Sequence, residues 1–294
     1  MRIMSPASCA SSGTMSGSSR PATSVKPFVK GHKNDYRDAE AIAEAVQRPT
    51  MRFVPLKSDE QLDLQALHRV RSRLVGQRTA VVNQIRGFLL EHGITVRQGP
   101  AGLRQVLPSV LAQRTDVLSP RMVHLIEDLA EDLAGDWRTL DARIEAVTEQ
   151  IEELAKEDVN CRRLMGIPGV GPLTASAMVA AVGDGAAFDR GRDFGAWLGL
   201  VPKQISTGDR TILGGISRRG NTYLRSLFVQ GARAVLLRPE SWARYGFGGW
   251  LTAAARRLHR NVLAVALANK LARIAWGVLR SERGYEPQIQ ARAG

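Results

Sequence analysis

Ser58-Asp-Glu-Gln-Leu-Asp-Leu-Gln-Ala-Leu-His-Arg-Val-Arg-Ser-Arg-Leu74 opens the longest periodic segment of the chain. Gln61 stands three residues after Ser58, where its side chain can return a bond to the cap amide, so a helix starts here with a capping box. Leu67, Leu74, Val81 and Phe88 recur every seven residues, and Leu64, Val70 and Ile85 fill the same stripe. Gly93 is a good terminator. Residues 121–157 repeat the pattern with Leu129, Leu133, Trp137, Leu140, Ile144, Val147, Ile151 and Leu154 at spacings of four and three. The two helices are expected to pair as an antiparallel coiled coil, or each with a second protomer. The second helix holds four Lys or Arg against eleven Asp or Glu, a charge of about −7. Such a surface repels nucleic acid, so a spacer or dimerisation arm is the expectation.

Beyond this arm the charge reverses. Near Arg162 a further segment begins with Leu164-Met-Gly-Ile-Pro-Gly-Val-Gly-Pro172, followed by an apolar helix from Leu173 to Val182. Gly166, Gly169 and Gly171 permit a tight hairpin that presents backbone amides at a helix start, the way a short loop grips a phosphate without a side chain. This is a helix-hairpin-helix pattern; the plain alternative is a Gly-Pro turn between core helices. Residues 201–225 carry Lys203, Arg210, Arg218, Arg219 and Arg225 against one acid, Asp209, in a glycine-punctuated stretch that reads as loop and includes Asn221. Ser206 lies in a Ser-Thr-Gly turn, flanked in sequence by cations. It is either a turn former on a solvated basic surface or a hydroxyl nucleophile assisted by those cations. A last helix, about Thr252 to Arg280, puts Leu263, Leu267, Leu271, Ile274 and Val278 on one stripe and has six Lys or Arg and no acid over 251–280. A basic face toward phosphates fits it best, and a membrane-surface helix is the rival.

Upstream, residues 5–24 are Ser-, Ala- and Gly-rich without period, and disorder is expected for 1–24. Val25 to Val29 and residues 52–55 read as short strands. Asp35 and Asp38 open an Ala-rich helix running to about Gln47. Two carboxylates on one face of a first turn either complement the helix dipole or offer oxygen ligands to Mg²⁺ with positions left for phosphate and water. The whole chain of 294 residues has 41 Lys or Arg against 28 acids, a formal charge of +13, which favours a polyanionic partner. Only Cys9 and Cys161 are present, so neither a zinc ligand set nor a disulfide framework is available, and a reducing cytoplasm is the simplest compartment. No stretch reads as a transmembrane span or signal-peptide core.

Val25-Lys-Pro-Phe-Val-Lys, Lys33-Asn-Asp-Tyr-Arg-Asp-Ala-Glu-Ala-Ile-Ala-Glu-Ala, the Gly-Ile-Pro-Gly-Val-Gly hairpin, Phe194-Gly-Ala-Trp-Leu-Gly-Leu-Val-Pro and Leu213-Gly-Gly-Ile-Ser-Arg-Arg-Gly-Asn-Thr-Tyr-Leu-Arg follow one another in that order. Together they resemble the DEDD transposases of insertion-sequence family one hundred and ten, over about nine tenths of the chain. The resemblance implies a DNA transposase or recombinase. Asp35 and Asp38 would be the last two acids of a RuvC-like, Mg²⁺-binding set, and Ser206 the serine that attacks the phosphodiester. It also implies a homo-oligomer with a composite active site, a guide RNA encoded by the element, and a nucleoid-associated, cytoplasmic location. The family's first Asp and its Glu precede the Asp35 motif, and residues 1–24 contain no acid. An N-terminally truncated chain with weak or absent Mg²⁺ binding is therefore expected, possessing DNA affinity and an incomplete acid set. The alternatives are a non-enzymatic DNA- or RNA-binding protein and a RuvC-type junction nuclease.

The expected architecture is mainly α. It has a disordered stretch 1–24, a RuvC-like α/β remnant over 25–57, a coiled-coil helical hairpin over 58–158, an α-helical C-terminal domain with the helix-hairpin-helix over 159–284, and a flexible tail 285–294.

Overall fold

The computed structural model describes residues 18–19, 35–47, 53–54, 56–112, 120–208 and 210–287. The elements are β1 (Ser18–Ser19), α1 (Asp35–Val46), β2 (Phe53–Val54), α2 (Asp59–Glu91), α3 (Pro100–Ala112), α4 (Pro120–Glu157), α5 (Val159–Met165), α6 (Pro172–Val182), α7 (Gly191–Trp197), β3 (Pro202–Thr207), β4 (Arg210–Ile216), α8 (Thr222–Leu236), a 3-10 helix (Pro239–Arg244), α9 (Gly248–Ala255) and α10 (Arg260–Ser281). The fold is mainly helical. One departure concerns the N-terminal reading. Ser18 and Ser19, expected within a disordered stretch, pair antiparallel with Val54 and Phe53, while the strand expected at 25–29 lies outside the described residues.

The capping box forms as read from Ser58 and Gln61: the Gln61 amide donates to Ser58 Oγ at 3.3 Å and the Ser58 amide to Gln61 Oε1 at 3.1 Å. The heptad stripe drifts. The residues of α2 that are buried are Leu64, His68, Leu74, Val82, Ile85 and Leu89, whereas Val70 is exposed and Leu67, Val81 and Phe88 are only half-buried. A straight helix turns every 3.6 residues, so a strict seven-residue repeat walks off its buried face. On α4, Trp137, Ile144, Ile151 and Ala155 are buried and Leu154 is exposed. Arg71 Nε donates to Thr148 Oγ1 at 2.7 Å and Arg78 to Asp141 at 2.7 Å, so α2 and α4 run antiparallel within one chain.

Between them sits α3, absent from the sequence reading. Pro100 starts it at the position where a missing N–H costs nothing, and Leu103 and Leu107 join Val82, Ile85, Leu89 and Trp137 in a local core. Arg104 lies over the Trp137 ring, 4.7 Å from its centroid, and bonds Asp141. Pro108, inside the helix, is the residue that hides it in the sequence.

The other end of the α2–α4 pair docks on α6. Leu64, Ile151 and Ala180 pack together. Lys57 Nζ donates to the Ala180 carbonyl at 2.8 Å and Gln61 Nε2 to that of Val179 at 3.1 Å. Because α6 is covered on both sides, residues 174–180 are all buried, Thr174 and Ser176 included.

The main core holds α5 to α10, with Phe194, Phe228, Leu198, Leu267 and Leu271 fully enclosed. The single C-terminal helix expected from Thr252 is two helices, α9 and α10, broken at 256–259. By length and composition α10 is apolar enough to cross a membrane. Its apolar residues, from Leu263 to Leu279, instead line the core against α5, α7 and α8. Tyr285, expected in a flexible tail, packs against the same core.

Candidate nucleic-acid interface

The Gly-Ile-Pro-Gly-Val-Gly segment is a turn between α5 and α6. Asp158 caps α5, accepting from the Cys161 amide at 2.6 Å; burial drives the Cys161 thiol well above its ordinary range, so it stays an inert core thiol. Within the turn the Ile167 and Val170 amides bond back to Leu164 and Ile167 at 3.0 Å. The amides of Gly169, Gly171 and Leu173 have no backbone partner among the described residues. Gly171 is exposed at the α6 N-terminus. Gly169 does something else: at φ +83° it turns its carbonyl against Gly231 of α8, leaving no room for a Cβ on either residue.

The stretch read as a basic loop is a β-hairpin followed by a loop. β3 and β4 pair antiparallel, with Ile205 opposite Ile212 and Ser206 opposite Thr211. Gly208 makes the turn at φ +56°, and the hairpin is exposed on both faces except at its base. Alternation puts Gln204, Ser206 and Thr211 on one face and Lys203, Ile205, Arg210 and Ile212 on the other. Ser206 Oγ receives a bond from Gln204 Nε2 at 2.9 Å and lies 3.5 Å from Thr211 Oγ1. Among the described residues no general base is hydrogen-bonded to this hydroxyl.

Loop 217–221 returns the chain to α8. Ser217 and Arg218 amides bond the carbonyls of Val201 and Gly199, which holds Arg218 at φ +57°, an uncommon conformation for a residue with a side chain. Arg218 and Arg219 are exposed. Arg225 reaches back to the carbonyls of Leu198 at 2.8 Å and Arg219 at 3.1 Å, fastening the loop to the end of α7. Asn221 caps α8 by accepting from the Leu224 amide at 3.0 Å. Both residues, read in the sequence as phosphate contacts, thus also shape the loop that carries the exposed arginines.

Asp35 and Asp38 occupy the first turn of α1, Asp35 exposed and Asp38 half-buried. Among the described residues no three His, Cys, Asp or Glu side chains converge on a metal position, and α1 shares no substantial packing with the hairpin that bears Ser206. The structure therefore gathers the turn, the hairpin and loop 217–221 on the α5–α10 unit and leaves the two acids apart from them.

One cluster escaped the sequence reading. His68 of α2 is 4% exposed; its Nδ1 lies 3.0 Å from Tyr223 Oη and its Nε2 3.0 Å from Ser176 Oγ. Ser176 donates its proton to the Pro172 carbonyl at 2.6 Å, so it accepts from His68 Nε2–H, and Nδ1 accepts from Tyr223. Burial, with Arg71 nearby, holds His68 down at about 4, hence neutral. One imidazole thereby ties the helical pair to the first turns of α6 and α8, the helices that follow the Gly-rich turn and the basic loop. Its only sequence signal was its place four residues after Leu64.

Comparison with known proteins gives the family. Residues 161–246, spanning the turn, the hairpin and α8, match the model of the transposase IS116/IS110/IS902 family. Residues 19–94 match a second model, that of the IS110 DEDD transposase. The chain is 47% identical to a probable family 20 transposase of Pseudomonas aeruginosa, over 90% of its own length and 77% of the relative's. It is 44% identical to the transposase for insertion sequence element IS1111A of Coxiella burnetii, over 89% and 70%, and 42% identical to that for IS1328 of Yersinia enterocolitica, over 86% and 74%. With identity of this order over nearly nine tenths of its length, the chain belongs to the IS116/IS110/IS902 family of insertion-sequence transposases.

Proposed function

We propose that this transposase holds DNA through the α5–α6 turn and loop 217–221 and cuts and rejoins it with Ser206 as nucleophile. The observation that carries the reading is the exposed hairpin: Ser206 stands at its surface, hydrogen-bonded on one face, with Lys203 and Arg210 on the same two strands. In the step, Ser206 Oγ forms a bond to phosphorus as the bond from phosphorus to one strand-end oxygen breaks. The serine proton passes to a general base, and the leaving oxygen takes a proton to become a hydroxyl. The reverse attack rejoins strands without loss of phosphodiester energy. The added negative charge at phosphorus is stabilised by cations brought to this face from elsewhere, since Lys203 and Arg210 lie on the opposite face of the hairpin.

Asp35 and Asp38 fit Mg²⁺ in donor chemistry, as two hard carboxylate oxygens on one helical turn. When bound there, the ion would supply charge neutralisation at a phosphate. Because these acids do not pack near Ser206, the two halves of the site meet between protomers of a homo-oligomer, in keeping with the family resemblance, which also supplies the guide RNA. The acidic α4 is left as the spacer between them.

The test is to incubate the chain with element-end DNA, Mg²⁺ and element RNA, denature it, and map the DNA-linked peptide. A peptide containing Ser206 is expected. A link to another residue removes Ser206 from its role, and DNA binding with no link at all favours a binding protein without strand chemistry.

The strained Arg218 gives a second expectation. Arg218→Gly relieves a left-handed residue, so thermal stability holds or rises slightly, while DNA affinity falls about ten-fold through loss of one phosphate contact. Parallel melting and salt-dependent binding curves check both; a fall in stability would mean the side chain is needed for the fold.

A further inference from the structure

A cavity of about 250 Å³ opens between α2, α6 and the start of α8. Gln65, His68, Arg69 and Ser72 form one wall, Asn221 and Tyr223 another, and alanines of α6 the floor. Among the described residues no carboxylate lines it. The His68 ring nitrogens and the Tyr223 hydroxyl are committed to each other and to Ser176, and the Asn221 carbonyl to α8. What remains to face a ligand is donor chemistry: the Arg69 guanidinium, the Ser72 hydroxyl, and the amide groups of Gln65 and Asn221.

The charge arrangement is one-sided. Lys57, whose ammonium bonds the carbonyl of the floor residue Ala180, lies close enough to Arg69 that burial and this second cation hold it below its ordinary range. Arg69 has no acid partner among the described residues. An arginine without a carboxylate partner beside a donor-lined cavity favours an anion there. The volume is below the roughly 300–1,000 Å³ of a drug-sized site, and it suits one phosphate with part of its sugar. The mouth is continuous with the basic loop, because Asn221 is both the last residue of that loop and a wall of the cavity.

We propose that this cavity seats a phosphodiester of the nucleic-acid strand that runs along Arg218 and Arg219, with Arg69 as its principal cation. The assignment rests on the DNA-binding reading above and adds to it a defined anchoring point on α2, outside the α5–α10 unit. A phosphate held there touches the helical pair and the basic loop at once, so strand binding and the docking of α2 on α6 support each other.

The test is a salt titration of the full chain on a labelled DNA duplex, comparing wild type with Arg69→Gln and with Ser72→Leu. The second variant keeps every charge and fills the cavity from an exposed helical position where leucine is well tolerated. Each is expected to lower affinity about ten-fold and to reduce the slope of log affinity against log salt by about one, with melting temperatures near that of wild type. An effect of Arg69→Gln without one of Ser72→Leu means a surface charge only and overturns the pocket. Wild-type affinity and slope in both variants overturn it as well, leaving the DNA-binding reading intact. Absence of salt-dependent binding by the wild type itself overturns the DNA-binding reading, and the pocket with it.

Discussion

Gly231→Ala is expected to destabilise the α5–α10 unit by about 3–5 kcal/mol and to lower its melting temperature by roughly 10 °C. The sign is what makes the result informative. Gly231 lies inside α8, where alanine is ordinarily better than glycine by about 1 kcal/mol. Here an added Cβ would fall inside the van der Waals shell of the Gly169 carbonyl. Gly169 cannot retreat, because it is held at φ +83° and is itself hemmed by the Gly231 carbonyl and Val235. The clash is therefore backbone against backbone, with no flexible side chain to move. Gly76→Ala in α2, where a Cβ meets nothing within 4 Å, is the matched control and is expected to stabilise. Equal, benign melting curves for the two variants would refute the close approach. An intact but weakened Gly231→Ala protein should also bind DNA less well if the turn holds DNA as proposed, since the displaced residue is its middle glycine.

That contact explains why the Gly-rich turn was legible and its geometry was not. Three glycines with two prolines mark a tight turn between helices from sequence alone. Which glycine faces the core depends on Gly231, 62 residues further along, and no local signal records it. The same holds elsewhere. The capping box at Ser58 is local and was read correctly, whereas the buried line of α2 drifts from 64 to 89 because it must serve α3, α4 and α6 in turn. α3 was hidden by Pro108, a helix breaker outvoted by the burial of Leu103 and Leu107. The hairpin was hidden by its own composition, since Gly208, Gly214 and Gly215 read as loop and both its faces are wet.

For the candidate site, residues could be nominated from the sequence and their grouping could not. The exposed cations and Ser206 were nominated because charge and small polar residues cluster along the chain in residues 201–225. Arg225 and Asn221 belong to the same run, yet one fastens the loop and the other caps a helix, roles that appear only when carbonyls from residues 198 and 219 and the start of α8 are in place. His68 was invisible as a functional residue because it sits on an apolar stripe, where a histidine reads as one more buried position.

Acidification is expected to unlatch α2 from α6 and α8 through that histidine. In the fold His68 is a neutral ring, accepting at Nδ1 from Tyr223 and donating at Nε2 to Ser176, whose own proton is already given to Pro172. A second ring proton is disfavoured first by burial and then by the nearby Arg71 charge; Arg71 also bonds the Tyr223 hydroxyl, and on α6 Ser176 already gives its own proton to Pro172. His68 therefore titrates at about 4 in the fold and near 6.5 when unfolded. The unfolded chain binds more protons across that window, so the His68 contribution is complete above about 6.5 and is lost as pH falls toward 4, by on the order of 3 kcal/mol. His68→Gln removes the titration while keeping an amide able to donate and accept. At neutral pH it is expected to cost about 1–2 kcal/mol for imperfect bonding of Ser176 and Tyr223, and its stability should be nearly flat between pH 6.5 and 4 apart from carboxylate effects shared with wild type. Urea unfolding at a series of pH values measures the difference directly. Parallel pH profiles for the two proteins would mean that His68 does not hold the latch. A steeper loss in wild type, accompanied by release of DNA, would tie the docking of the helical pair to the proposed hold of the α5–α6 turn and loop 217–221 on DNA.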